Sequence, residues 1–416
     1  MRLLLVTALL GLIAVPAVAA VQTGVSQSSA SSSVTTNPDQ TKAVQNSNAF
    51  AVDLYGQLRT RPGNLFFSPE SISTAFAMAY AGARGQTATE MASVFHFSLP
   101  PDRLHPAMGA LLASMNAKHS NYELHVADAL WAEQDTNFLE SYLKLTQSDY
   151  SAGFHRVNFK ASPEAVRGTI NQWVEQQTNN KIQNLIEPGV LTTSTKLVLT
   201  NAIYFKGDWS APFEKNNTED GDFHLTAAQT VKASLMHRQG AYRYLNGGTF
   251  QALELPYKGD DLSMVVLLPN ETEGLAALEK SMTAKAVNGW IEKLNFAPKV
   301  ILTLPRFTMT QQFELSGALS GMGMPLAFRG AADFSGMTGK PEFTISAAIH
   351  KAFVDVSETG TEAAAATATV MTATAMRRIA PEPPPIIFRA DHPFLFLIRD
   401  VKTGGMLFMG RVADPR

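Results

Sequence analysis

The sequence contains no cysteine. That excludes a disulfide framework, thiolate metal sites, iron–sulfur clusters and a cysteine nucleophile. It has no marked excess of either charge, with 34 basic residues against 36 acidic ones and a net of −2. A general nucleic-acid binder needs a basic face to displace counterions, so nucleic acid is not an expected partner. Beyond the N-terminus no window reaches about 18 uninterrupted apolar residues, so no membrane span is expected. Motifs of catalysis are also missing. There is no G-x-S-x-G elbow, no H-E-x-x-H and no phosphate-binding loop, and Gly321-Met322-Gly323 is too short for a dinucleotide fingerprint. The nine histidines are scattered without ligand spacing, so no metal or other cofactor is expected. A Ser–His–Asp set assembled in space would leave no linear motif, yet nothing points to one, and the chain reads as a non-enzyme.

The N-terminus carries Arg2, an apolar run from Leu3 to Val15, a helix-breaking Pro16 and Ala17-Val18-Ala19. This is the pattern of a cleaved export signal over residues 1–19, and it places the mature chain outside the cytoplasm, either secreted or periplasmic. Residues 20–44 are rich in Ser, Thr, Gln and Asn and read as a flexible leader. Structure is expected from Gln45 onward. No Gly/Ser linker, repeat or long charge run interrupts 45–416, so one continuous domain is expected.

The first half reads as mainly helical. Phe50, Leu54 and Leu58 recur at four-residue spacing. Ser68-Pro69-Glu70-Ser71 places a capping residue before proline at the first helical position. The helix that follows is apolar nearly all round, which predicts deep burial. Ser162-Pro163-Glu164 repeats the start signal. The second half is richer in strands. Lys196 to Phe205 is a β-branched and aromatic run, and Ala252–Leu255 and Leu262–Leu268 flank a hairpin turn at Lys258-Gly259-Asp260-Asp261. Val300 to Leu304 reads as a strand, followed by a short helix on Phe313, Leu315 and Leu319. Helices first and strands later predict an α+β fold.

One segment fits neither class. Glu358-Thr359-Gly360-Thr361-Glu362 leads into Ala363 to Ala366, then Thr367-Ala368-Thr369-Val370-Met371-Thr372-Ala373-Thr374-Ala375, then Met376-Arg377-Arg378 and a proline run. These small residues and threonines suit an extended strand but cannot anchor a core. The segment reads either as a low-complexity surface loop or as a strand held in reserve. Long loops in compact domains are commonly functional.

With that segment in view, the chain resembles the serpins. The resemblance runs from about Gln45 to Pro415. It rests on Asn64 to Pro69 with Ser71 to Ala75, on Leu199 to Trp209 (LTNAIYFKGDW), on His350-Lys351-Ala352 before the Gly360 to Ala364 hinge, and on Phe388 to Phe394 and Phe408 to Val412 at the C-terminus. It implies a single domain of about nine helices and three β-sheets, with an exposed reactive-centre loop at about 358–388. It further implies a monomer that acts on a serine protease as a suicide substrate. The protease cuts the loop and forms an acyl-enzyme, and the cut loop then inserts into the main sheet. Family positions fall here on a hinge, Glu358, Gly360, Thr361, Glu362, Ala363, Ala364, Ala365 and Ala366. They fall also on a shutter, Ser68, Ser71, Asn201 and His350, and on a breach, Trp209 with an Arg306–Glu358 pair. The family's spacing of about seventeen residues from Glu358 puts the reactive bond at Thr374-Ala375, which suits an elastase-like or subtilisin-like enzyme. Met376, Arg377 and Arg378 are alternatives, the arginines drawing a trypsin-like one. The competing expectation is a member that has lost inhibition and serves as a binding or chaperone-like protein. No charged residue stands at Thr361 and no proline among Ala363 to Thr367, and either would hinder insertion.

Overall fold

The computed structural model describes residues 37–151, 153–361 and 384–416. The first helix, Pro38–Leu58, starts seven residues before Gln45, inside the segment read as a leader. Asn37 caps it by accepting the Asp39 N–H at 3.0 Å, and Pro38 stands at the first helical position. Ala43 and Val44 are buried, so the last part of that polar segment has apolar residues enough to dock.

Ten α-helices and two β-sheets are present among the described residues. The resemblance implied three sheets. Here the strand Thr230–Asn246 is long enough to pair at different points with Thr218–His224, Phe250–Pro256 and Asn295–Pro305, so two of them run together as one nine-stranded sheet. The architecture is α+β, as expected. The hairpin of Phe250–Pro256 with Leu262–Pro269 is present. Phe313 is not helical as expected. It lies in the strand Phe307–Glu314, and the helix starts only at Ser316. Thr308, Thr310 and Gln312 alternate with Phe307, Met309 and Phe313 along that strand, which is the two-residue period of a sheet edge.

The six-stranded sheet positions the site. Its order is Phe307–Glu314, Ala347–Val356, Gly360–Thr361, Leu197–Asp208, Tyr122–Glu133 and Phe154–Val157. The helix Pro69–Tyr80 packs between its strands Tyr122–Glu133 and Leu197–Asp208 and the strand Met406–Val412 of the other sheet. Every residue of that helix from Pro69 to Ala79 is buried, as its apolar circumference predicts. The sheet's other face is covered by the helix Pro163–Gln177, whose Val166, Ile170 and Val174 join a core with Ala127, Ala129, Trp131, Val198, Ala202, Ala347 and Ile349.

Candidate functional site

The two central strands, Leu197–Asp208 and Ala347–Val356, run parallel and pair directly from Val198↔Ala347 to Tyr204↔Phe353. Above that point they part, and Gly360–Thr361 fills the gap. Thr361 pairs with Gly207 on one side and Val356 on the other, antiparallel to both. The chain reaches this position by a tight turn at Ser357–Gly360, in which the Ser357 N–H donates to the Gly360 carbonyl at 2.8 Å.

Trp209 holds the turn. Its indole Nε1–H donates to the Ser357 carbonyl at 3.0 Å and its backbone N–H to the Thr359 carbonyl at 2.8 Å. The indole stacks on Tyr257, with ring centres 4.6 Å apart. The Tyr257 hydroxyl lies 2.8 Å from Thr361 Oγ1, and both residues are fully buried. Burial pushes the Tyr257 phenol above the ordinary tyrosine range, so it remains a neutral hydrogen-bonding partner. Arg306 Nε stands 3.7 Å from Glu358 Oε2, with the carboxylate buried and the guanidinium exposed. That is an ion pair beyond hydrogen-bonding distance. The six residues Trp209, Arg306, Glu358, Gly360, Thr361 and Tyr257 therefore surround the start of the loop. Glu362, Ala363, Ala364, Ala365 and Ala366 of the hinge, and Thr374, Ala375, Met376, Arg377 and Arg378, lie outside the described residues, as do residues 1–36.

Lower in the same sheet, Ser68, Ser71, Asn201 and His350 come together. Asp128, Asn201, His350 and Phe313 form one row across four strands by register. Ser68 caps the buried helix, its Oγ accepting the Ser71 N–H at 3.3 Å. The Ser68 backbone N–H donates to His350 Nε2 at 3.2 Å. His350 Nδ1 therefore carries the ring proton and donates it to Asn201 Oδ1. The Asn201 amide donates to Asp128 Oδ1 and to Ser71 Oγ. Thr74 Oγ1 closes the group at 2.9 Å from Asp128 Oδ2 and 2.8 Å from the Ser71 carbonyl. All these residues are buried. Burial pushes the His350 imidazole down to about 3, so it is neutral. Burial pushes the Asp128 carboxyl up to about 7, against the lowering effect of its Thr74, Asn201 and Ser71 hydrogen bonds.

Asp128, Thr74 and Tyr257 were not among the residues singled out from sequence. Asp128 had a usable signal, a lone acid inside Leu124-His125-Val126-Ala127-Asp128-Ala129-Leu130-Trp131 with apolar neighbours of either parity. A carboxylate in a strand buried on both faces needs partners.

The serpin model, described as serine protease inhibitor, matches residues 45–415. The chain belongs to the serpin family. Human leukocyte elastase inhibitor is 41% identical over 377 residues, covering 88% of this chain and 97% of the relative. Among solved structures, a serpin of the insect Tenebrio molitor described as highly specific superposes with a TM-score of 0.80 at 32% identity, covering 91% of this chain and 100% of the other. Human thyroxine-binding globulin, solved in complex with thyroxine, gives 0.80 at 30% identity, covering 90% and 99%. Membership makes this chain one of a family of protease inhibitors rather than an enzyme, and the family's partners are serine proteases.

Proposed function

We propose that this serpin is an exported suicide inhibitor of a serine protease. It is made with a signal at 1–19 and a leader within 20–44, and its inhibitory domain runs to residue 416. The observation that carries the reading is the two-residue strand Gly360–Thr361, already seated between Leu197–Asp208 and Ala347–Val356 at the top of their seam. A strand started there has one continuation that keeps its register. Residues 362–370 would run down the seam opposite 206–198 on one side and 355–347 on the other. The side chains sharing the buried face of Thr361 would then be Ala363, Ala365, Thr367 and Thr369, all small enough to lie over the packed helix. Thr367 would fall between Asn201 and His350, where its hydroxyl could serve both after their mutual bond is lost.

Each side of such a strand supplies backbone hydrogen bonds at about 0.5–1.5 kcal/mol apiece. A dozen of them outweigh the direct pairing they replace, so the uncut molecule is metastable. The acyl-enzyme is a two-step intermediate, and insertion faster than its hydrolysis traps it. In this reading Ser68, Ser71, Asn201 and His350 control where the strands part, and Trp209 with the Arg306–Glu358 pair holds the entrance.

The reactive bond of this reading is Thr374-Ala375, four residues beyond the last register position, and the target is elastase-like or subtilisin-like. The 41% identity to an elastase inhibitor supports that class. The protein acts as a monomer, away from membranes. Among the described residues no helix is long and apolar enough to cross one. Incubation with a panel of elastase-, subtilisin-, chymotrypsin- and trypsin-like proteases tests the reading. A covalent complex that survives denaturing gels is the expected result with the first two classes. Cleavage by every protease without any complex would favour the binding-protein alternative, for which thyroxine-binding globulin is a structural precedent.

A further inference from the structure

The row Asp128–Asn201–His350 joins an acid and a base through one amide, and all three side chains are buried. The directions of its hydrogen bonds fix the proton inventory of the closed sheet. His350 accepts at Nε2 and donates at Nδ1, so it is neutral. Thr74 has one hydroxyl proton but two acceptors, the Ser71 carbonyl and Asp128 Oδ2. That conflict disappears if Asp128 Oδ2 carries a proton and donates it to Thr74 Oγ1, which then donates to the Ser71 carbonyl. Asp128 Oδ1 still accepts from Asn201 and from the Ser71 hydroxyl at 3.3 Å.

Both groups must change state when the row comes apart. We propose that Asp128 and His350 form a compensating proton pair, in which opening the sheet releases one proton from Asp128 and binds one to His350, so that acid does not open it. That the sheet opens at this row in the working protein rests on the insertion reading above. The proton exchange itself follows from loss of the buried row by any route.

Closed, Asp128 holds its proton up to about 7, and its ordinary value is 3.8, so opening releases a proton between those limits. Closed, His350 stays neutral down to about 3, and its ordinary value is 6.5, so opening binds a proton between those limits. From about pH 4 to 6.5 the two cancel. An uncharged amide in place of Asp128 would leave only the histidine, and acid would then favour opening.

Other titratable groups near the row leave this balance intact. Glu70, next to Ser71, couples to Asp400 and not to Asp128. His105 is engaged with the Tyr150 hydroxyl at 2.8 Å. By strand alternation His125 points to the sheet's other face, and His155 stacks there on Trp131. Around His350, Arg61 lies beyond the Phe313 ring, 5.2 Å from its centre. Lys351 points to the opposite face and donates to the Gln183 carbonyl, and Glu314 is held by Ser316.

The test is the unfolding rate of the intact full chain after a jump into urea, followed by tryptophan fluorescence at pH 4.5 and 6.5. Asp128→Asn keeps the shape and supplies the same donor and acceptor as the protonated acid. The reading is the ratio of the variant's rate to that of wild type, since groups common to both, Glu70 and His105 among them, change protonation on unfolding in this range and cancel in the ratio. For Asp128→Asn that ratio should rise tenfold or more from pH 6.5 to pH 4.5, with about a hundredfold as the ceiling for one proton over two pH units. A ratio that does not change with pH overturns the proposal. His350→Gln is read in the same way even if Asp128→Asn does not fold: its ratio should fall tenfold or more over the same interval, and a constant one overturns the proposal. Failure of the insertion reading would appear separately, as a cut chain no more stable than the intact one.

Discussion

Gly360 lies against the carbonyl of Gly207, so close that a β-carbon built on Gly360 would stand 2.1 Å from that oxygen. The two residues are what allows a third strand to start between Leu197–Asp208 and Ala347–Val356. Gly360→Ala cannot keep this pairing without moving backbone. It should destabilise the intact protein by about 1–3 kcal/mol and release the hinge. Thermal unfolding checks the first effect, and faster proteolysis between Ser357 and Thr361 the second.

Thr361 is fully buried with its hydroxyl on Tyr257. Thr361→Arg would bury a guanidinium without a partner, a cost of several kcal/mol. The entrance should stay empty and insertion should slow. The variant is predicted to be cleaved as a substrate by proteases that wild type traps. Complexes at the wild-type stoichiometry would contradict this.

Removing Asn201 strips a hydrogen bond from each of Asp128, Ser71 and His350 at once. Orphaned buried polar groups cost about 1–3 kcal/mol each. Asn201→Ala should therefore lower the urea midpoint more than Thr200→Ala beside it, which removes the partner of the Trp131 indole N–H and of the Ala129 carbonyl.

Glu70 is buried beside the Ser68 cap, with Oε2 unpaired. Burial, with Asp400 nearby, pushes its carboxyl up to about 8 from an ordinary 4.5. Folding takes up a proton between those values. Its contribution to stability is complete below about 4.5 and is lost as pH rises to about 8. Glu70→Gln does not titrate. Its stability relative to wild type should grow from pH 5 to pH 8.5, measured by urea unfolding. A constant difference would show that the carboxyl is ionised throughout.

Much of this arrangement was legible in the sequence because it is carried by local signals. Ser68-Pro69 announces the buried helix through cap and proline, and LTNAIYFKGDW announces the central strand through an apolar run. Asn201 and His350 were both named, yet their partner Asp128 was not, since pairing across strands leaves no trace in linear spacing. The strand Tyr122–Glu133 that carries it is buried on both faces and so shows no alternation. The early start of the first helix at Pro38 was hidden for a related reason. Its first turns, Pro38 to Val44, continue the polar composition of the leader, while Ala43 and Val44 are in fact buried. Asn48 there bonds the hairpin at Gly404 and Met406.

The proposed reactive bond, Thr374-Ala375, rests on the family's spacing of about seventeen residues from Glu358. A cut at Arg377 instead of Thr374 leaves three more residues, about 10 Å of extended chain at roughly 3.3 Å each. That slack would let a trypsin-like enzyme escape. Mass spectrometry of the peptide released from a trapped complex should give Ala375 as its first residue. Arg378 or Ile379 would move the bond to the arginines and change the target class.

Inhibition by this route requires the loop to enter the seam that Gly360–Thr361 already occupies. Thermal unfolding of the intact protein beside the same protein cut once between Ala363 and Ile379 tests it most directly. The prediction is a large upward shift of the midpoint in the cut form, the reverse of what a nick does to most domains. A midpoint unchanged or lowered by the cut would mean that the loop does not insert, and that the protein does not inhibit by this route.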